Sequence, residues 1–202
     1  MVEPLRVDLF VEDAGHEAFI GALVRRIARE ETREVEVVSR SARGGHGKAL
    51  SEFRVYQRRC RVAGRPPDVL VVATDANCRG LTEAISKVRE AIDEALFPSV
   101  ALAVPDPHVE RWYMADPQAL LAALDARVAP GRRKCQRDLY KRMLREALLR
   151  AGHPVTLGGE EFAEEIVEAM DLYRATKNES TKNEPSLAIF LDDLRGSLRR
   201  LP

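Results

Sequence analysis

Residues 68–74 read DVLVVAT, an uninterrupted apolar run between an aspartate and a threonine. A strand that helices cover on both faces needs apolar side chains on both of its sides, so such a run predicts a central strand of a parallel sheet. The residues that follow, TDANCRG, are mostly polar and end in glycine, which is typical of the turn that leaves a strand.

The chain on either side of this run alternates between strand and helix patterns. LRVDLFV (5–11), EVEVV (34–38) and SVALAV (99–104) have the apolar spacing of strands, with Arg6 and Asp8 on the polar face of the first. Helical spacing covers about residues 15–30, 50–60 and 81–96. The alternation predicts an α/β fold, with a mainly parallel sheet of about four strands flanked by helices through right-handed crossovers.

Helical patterns take over after Pro105. Asp116 and Pro117 have the residue types of a helix N-cap and first turn, and Ser186 can cap the last helix. Further helices are expected over 139–148 and 162–173. The sequence therefore predicts an α/β domain over residues 1–125 and a helical lobe, packed on it, over residues 126–202.

Composition argues against several classes of protein. No stretch approaches the ~20 apolar residues that span a bilayer, and the N-terminus lacks the features of a secretion signal, so we expect a cytoplasmic protein with no membrane partner.

Cys60, Cys78 and Cys135 are far apart and form no C-x-x-C pair, which indicates reduced thiols. The sequence also lacks the histidine pair of zinc hydrolases, the G-x-S-x-G elbow and the G-x-G-x-x-G fingerprint.

Basic residues are concentrated in two zones, although 32 basic and 32 acidic residues give a formal net charge of zero. The zones cover residues 40–65 and 127–145 and could flank a groove for DNA or RNA. The alternative is that both zones are solvated surfaces, and that RGGHGK (43–48) is a flexible link. The predicted phosphate contacts are Arg43, Lys48, Arg132, Arg133 and Lys134.

Acidic and amide side chains follow three of the predicted strands. Ligands of open parallel sheets bind beyond the carboxyl ends of the strands, so these groups should meet at one edge. Crowded carboxylates repel unless a cation neutralises them, and a hard divalent ion with oxygen ligands does so. Alternatively, each could cap a helix, form a turn or lie on a polar helix face. The residues concerned are Glu12, Asp13, Asp75, Asn77, Asp106 and Glu110.

Four segments resemble one known family. VEDAGHE (11–17) resembles the V-E-G-x-x-E/D opening of Toprim-type domains, and TDANCRG (74–80) resembles their D-x-D-x-x-G strand end. AVPDPHVERWYMAD (103–116) and EPSLAIF (184–190) are similar to the P-x-x-E-x-W-x-L-A-D and P-S-F-x-x-F segments of a small bacterial branch of Toprim-like proteins.

The resemblance implies a function. Toprim domains catalyse phosphodiester chemistry in topoisomerases, primases and the overcoming-lysogenization-defect nucleases, and several small relatives act in bacterial antiviral defence beside an ATPase. It implies Mg²⁺ or Mn²⁺ bound by Glu12, Asp75 and Asn77, with Glu17 and Glu110 as candidates for a second ion. Glu12 and Asp75 would be the principal catalytic residues. Because Asn77 stands where the family motif has an aspartate, the alternative is a non-catalytic module that binds nucleic acid or a partner ATPase.

Overall fold

The structure is a computed structural model that describes residues 3–41, 46–136, 138–177 and 184–201, with the backbone alone described for residues 41 and 46–50. The strands are β1 (Leu5–Val11), β2 (Val35–Ser41), β3 (Val69–Ala73) and β4 (Val100–Ala103). The helices are α1 (Ala14–Glu30), α2 (His46–Ala63), α3 (Leu81–Glu90), α4 (Val109–Tyr113), α5 (Pro117–Leu124), α6 (Leu139–Arg150), α7 (Ala163–Ala169), α8 (Leu172–Lys177) and α9 (Pro185–Arg200).

The four strands form one parallel sheet in the order β2-β1-β3-β4, which confirms the predicted α/β fold. Val7 of β1 lies opposite Val37 of β2 and Val69 of β3, and Leu70 of β3 lies opposite Val100 of β4. All of β3 is buried, as its apolar run predicts. The strand order reverses between β1 and β3, and open α/β sheets bind their ligands at the carboxyl edge of such a reversal.

The sheet separates two apolar layers because successive side chains of a strand point to opposite faces. Val7, Leu9 and Val11 of β1 pack into the larger layer together with α1, α4, α5, α6, α7 and α9. Phe10 points the other way and packs with Phe53 of α2 and Val88 of α3. Helices therefore cover both faces, and the carboxyl edge of the strands remains the place where a site can form.

The C-terminal helices share the larger apolar layer with the first 125 residues. α9 packs on β4, and α7 packs on α1 and α5. Buried Arg111 of α4 and buried Glu184, the residue before α9, form an ion pair. In the described residues no helix is long and apolar enough to cross a membrane.

Two expectations about the C-terminal helices are wrong in detail. Ser186 does not cap α9, since the helix starts at Pro185 and the Ser186 hydroxyl accepts a hydrogen bond from Nε1 of buried Trp112 at 2.9 Å. The single helix predicted over 162–173 is divided into α7 and α8. Asp171 interrupts it, because its backbone N–H donates to Oδ2 of buried Asp116 at 2.9 Å instead of to a helical carbonyl.

Two further residue assignments need correction. Asp8 does not lie on a solvated strand face, because it is fully buried beneath two arginines. Cys78 and Cys135 are not reduced thiols but form a disulfide, with their Cα atoms 5.6 Å apart. The fold joins residues that are 57 positions apart, which spacing along the chain could not show. Cys60 is a buried free thiol, as expected.

Candidate functional site at the carboxyl ends of β1 and β3

Asp75 lies at the centre of the site, two residues beyond the end of β3. Its Oδ1 accepts a hydrogen bond from the backbone N–H of Val109 at 2.9 Å, and Oδ2 lies 3.0 Å from Nδ1 of His108. Burial alone would raise the pKa of Asp75, but the nearby His16 and His108 hold it below its usual value. Asp75 is therefore a carboxylate kept ionised in a largely buried position.

His16 connects the end of β1 to the end of β3. It is fully buried in the first turn of α1, with Nδ1 2.8 Å from Oδ1 of Asp13 and Nε2 3.1 Å from Oδ1 of Asp75. Burial opposes the imidazolium form, yet Asp75 and Asp13 outweigh it and raise the pKa of His16 well above its usual value. A protonated His16 thus holds two carboxylates together.

Asp13 also caps α1, as one of its two interpretations predicted. Its Oδ1 accepts the backbone N–H of His16 at 3.0 Å. Burial opposes ionisation, but the hydrogen bond and the charge of His16 lower the pKa of Asp13 to about 2. Asp13 is therefore both the N-cap of α1 and a residue of the candidate site.

An open polar cavity of about 510 Å³ lies beside this network. Burial and the charge of Asp75 raise the pKa of Glu110, which is the result expected when carboxylates crowd together. Lys141 of α6 brings a positive charge into the cavity and lies 3.3 Å from Oε1 of Glu160. The cavity is lined by Asp13, Asp75, Asn77, Cys78, His108, Glu110, Cys135, Asp138 and Lys141.

Glu12 lies on the other side of Asp75. Its Oε2 accepts a hydrogen bond from the Thr74 hydroxyl at 2.7 Å, and its backbone N–H donates to the carbonyl of Ala73 at 3.2 Å. Glu12 and Asp75 line a small, mostly apolar cavity of about 40 Å³ between the sheet, α2 and α3. The two residues predicted to be catalytic therefore share a cavity, and Asp75 also lines the polar one.

The other predicted ligands are placed differently. Asn77 and Glu110 line the polar cavity with Asp75, and the Asn77 side-chain amide donates to the Asp75 carbonyl at 3.2 Å. Glu17 is half-buried in the first turn of α1 and lines neither cavity. The predicted metal ligands are thus separated by Asp75. Glu12 lies on one side of it, Asn77 and Glu110 lie on the other side, and Glu17 lies outside both cavities.

The predicted phosphate contacts are described in part. Arg132, Arg133 and Lys134 are exposed and precede Cys135, which lines the polar cavity, and Arg133 pairs with Asp106 at 2.8 Å. Residue 43 and the side chain of residue 48 lie outside the described residues, so the prediction for Arg43 and Lys48 stays a prediction.

The chemistry of the donors fits a hard divalent cation, because the polar cavity has four carboxylates and one amide oxygen against Lys141 and His108. Within the ranges that the structure describes, no three such side chains already stand together as a metal-binding group. Mg²⁺ keeps several water ligands and often takes only one or two carboxylates. In the described residues the polar cavity thus offers separate oxygen donors, from Asp13, Asp75, Glu110 and Asn77, and not a preformed cluster.

Sequence reasoning missed His16, His108 and Lys141. His16 and His108 belong to no histidine pair at helical spacing, so the zinc-site pattern does not point to them. The position of His16 three residues after a capping aspartate was a usable signal, since that spacing brings the imidazole back to the cap. Lys141 carried no such signal, because its place in the cavity depends on how α6 packs.

Comparison with known proteins assigns no family and no function to this site. No protein-family model matches the chain, and no curated protein and no solved structure shows significant similarity to it. The site is therefore interpreted from its own chemistry.

Proposed function

We propose that the protein is a Toprim-like nuclease that hydrolyses phosphodiester bonds of DNA or RNA with Mg²⁺ or Mn²⁺. The observation that supports this proposal most is the convergence of Asp13 and Asp75 on His16 at the point where the strand order reverses. A carboxylate-rich cavity at that edge favours a cationic cofactor and a substrate whose phosphates bind to it.

In this proposal, different residues of the site have different roles. Asp13, Asp75 and Glu110 would hold the cation, which supplies Lewis-acid stabilisation of the phosphate oxygens when bound. His108 keeps Nδ1 on Asp75, so its other ring nitrogen is left to give a proton to the leaving oxygen. Arg132 and Lys134, exposed beside the cavity, would contact phosphates that flank the scissile bond.

The resemblance to small Toprim relatives extends the proposal to the cell. The protein would act as one component of an antiviral system that also contains an ATPase. This part of the proposal rests on the sequence motifs that resemble Toprim-like proteins.

Cleavage assays test the enzymatic proposal. The wild type should cleave labelled DNA or RNA with Mg²⁺ or Mn²⁺ and not with EDTA. Glu110→Gln keeps the size of the side chain and removes a charge that burial and Asp75 disfavour, so the variant should fold and lose at least about 100-fold in rate. Asp75→Asn should lose activity as well, because Asp75 would be a ligand of the cation.

Glu83→Gln in the first turn of α3 is the matched control, because Glu83 is exposed and lines neither cavity. It should cleave like the wild type. Full activity of both Glu110→Gln and Asp75→Asn, or cleavage by the wild type in EDTA, would reject the assignment.

Asn77 favours a second candidate function. An amide at this position contributes no charge to a cation site, and its own amide hydrogen is directed to the Asp75 carbonyl. The second candidate is a non-catalytic module that binds nucleic acid or a partner ATPase. It predicts nucleic-acid or ATPase binding by the wild type, without cleavage and with no change on adding Mn²⁺.

A further inference from the structure

A buried carboxylate in the middle of β1 organises two arginines on the face that α2 covers. Asp8 is fully buried, and its Oδ1 and Oδ2 accept hydrogen bonds from Nε and Nη2 of Arg6 at 2.8 and 2.9 Å. Nε of Arg40 lies 3.3 Å from Oδ2, and the Tyr56 hydroxyl donates to the same oxygen at 2.8 Å. Burial raises the pKa of Tyr56, so this hydroxyl stays a donor.

These contacts leave guanidinium N–H groups directed away from Asp8. Nη1 of Arg6 and both terminal nitrogens of Arg40 take no part in the contacts with Asp8. Arg40 is held further by the ring of Tyr56, whose centre is 5.5 Å from its guanidinium carbon. Because Asp8 and Tyr56 fix both side chains, little of their conformational freedom remains to be lost when an anion binds.

The same two arginines line the floor of an open groove of about 600 Å³, with Arg59 and Arg65 on its walls. Arg59 and Arg65 are exposed, and neither forms an ion pair with any residue in the described ranges. Among the described residues that line the groove are four arginines and one carboxylate, Glu52, while Asp8 lies beneath Arg6 and Arg40. Burying a charge costs several kcal/mol unless it is paired, so buried Asp8 holds Arg6 and Arg40 beside it at the groove.

The groove also leads towards the candidate site. Phe10 lines both the groove and the small cavity that contains Glu12 and Asp75. Phe10 is the last residue but one of β1 and precedes Glu12 by two positions, so the groove adjoins the small cavity at Phe10.

We propose that this groove binds the phosphodiester backbone of a nucleic acid, with Arg6 and Arg40 as phosphate contacts positioned by Asp8 and with Arg59 and Arg65 as contacts on its walls. This inference takes its ligand class from the proposed function. It assigns the substrate a path along α2, which is separate from the basic segment before α6.

Binding without cleavage tests the inference. Fluorescence anisotropy of a labelled oligonucleotide, single- or double-stranded, is measured in EDTA at several salt concentrations. The double variant Arg59→Gln/Arg65→Gln should bind about tenfold more weakly near 0.1 M salt. Its salt dependence should be shallower by about 0.7 in log–log slope per lost contact on a single strand.

The matched control is Arg58→Gln/Arg61→Gln, which removes the same charge from neighbouring positions that face a different cavity beside Asp93. It should bind within about twofold of the wild type. Equal weakening by the two double variants would show diffuse attraction and overturn the inference, as would absence of oligonucleotide binding by the wild type.

Asp8→Asn gives an independent test, because it makes the protein more positive while releasing Arg6 and Arg40. Diffuse attraction predicts tighter binding by a folded Asp8→Asn variant, whereas an organised groove predicts weaker binding. The assay also separates the two proposals. If the groove variants weaken binding but the wild type does not cleave in Mg²⁺ or Mn²⁺, the nuclease proposal is rejected and the proposed role of the groove stands. If the wild type cleaves but the groove variants bind like the wild type, the proposed role of the groove is rejected and the nuclease proposal stands.

Discussion

His16 is the residue on which the geometry of the site depends most. It is fully buried and contacts two carboxylates that come from different strand ends. Removing one partner of a buried ion pair is more costly than removing both, because the remaining charge is left without compensation. His16 therefore has a structural role that can be tested separately from the proposed catalysis.

We predict that His16→Ala lowers the free energy of unfolding by about 3 kcal/mol, because Asp75 then stays buried without its main counter-charge. Adding Asp75→Asn to that variant should restore part of the lost stability, since the uncompensated charge is removed. Urea denaturation followed by circular dichroism measures both steps. Additive destabilisation by the two substitutions would contradict this role of His16.

Glu184 gives a pH dependence that is separate from the candidate site. Burial raises the pKa of Glu184 to about 7, although Arg111 opposes the shift. An acid whose pKa is higher in the folded protein contributes stability that is complete below the unfolded pKa and is lost as the pH rises through the folded value.

We therefore expect the wild type to lose stability relative to Glu184→Gln between about pH 4.5 and pH 7, by an amount on the order of 2 kcal/mol. Glutamine cannot ionise, so the variant lacks this dependence and serves as the reference. Thermal or urea unfolding of both proteins across this range measures the difference. A difference that is constant with pH, or that grows in favour of the wild type at higher pH, contradicts the expectation.

At the scale of elements, the connection between α5 and α6 forms a wall of the polar cavity. Cys135 is bonded to Cys78 of the loop after β3, Arg133 pairs with Asp106, and the backbone N–H of Lys134 donates to the Tyr140 hydroxyl at 2.8 Å. The disulfide therefore ties a basic segment of the helical part to the acidic edge of the sheet.

Reducing this disulfide should lower the free energy of unfolding by up to about 4 kcal/mol, given the 57-residue separation that it closes. The measurement is urea unfolding of the wild type with and without dithiothreitol. Cys78→Ser/Cys135→Ser should match the reduced wild type and should not respond to dithiothreitol, while Cys60 remains in place. A wild type that is indifferent to dithiothreitol would contradict the prediction.

At the scale of the whole molecule, the sheet could be predicted because apolar periodicity reports directly on burial. The run 69–73 is apolar at every position, and β3 is buried at every position. Parallel topology alone predicts that the strand ends meet at one edge, where Asp75, Asn77 and Glu110 line one cavity and Glu12 lines another.

The remaining features depend on tertiary packing, which local patterns do not encode. Asp8 alternates with apolar residues as a solvated residue would, and only the packing of α2 places Tyr56 over it. Cys78 and Cys135 meet because the segment before α6 returns to the sheet edge. Glu17 has the spacing of the family motif, but its position on α1 leaves it outside both cavities.

The proposed function requires the carboxylates beyond β1 and β3 to hold a divalent cation. Calorimetric titration of Mn²⁺ into the wild type, Asp75→Asn and Glu110→Gln measures this binding. We predict binding by the wild type at or below about 1 mM, and affinity at least about tenfold lower in both variants. No binding by the folded wild type at that concentration, or equal affinity in all three proteins, would contradict the claim.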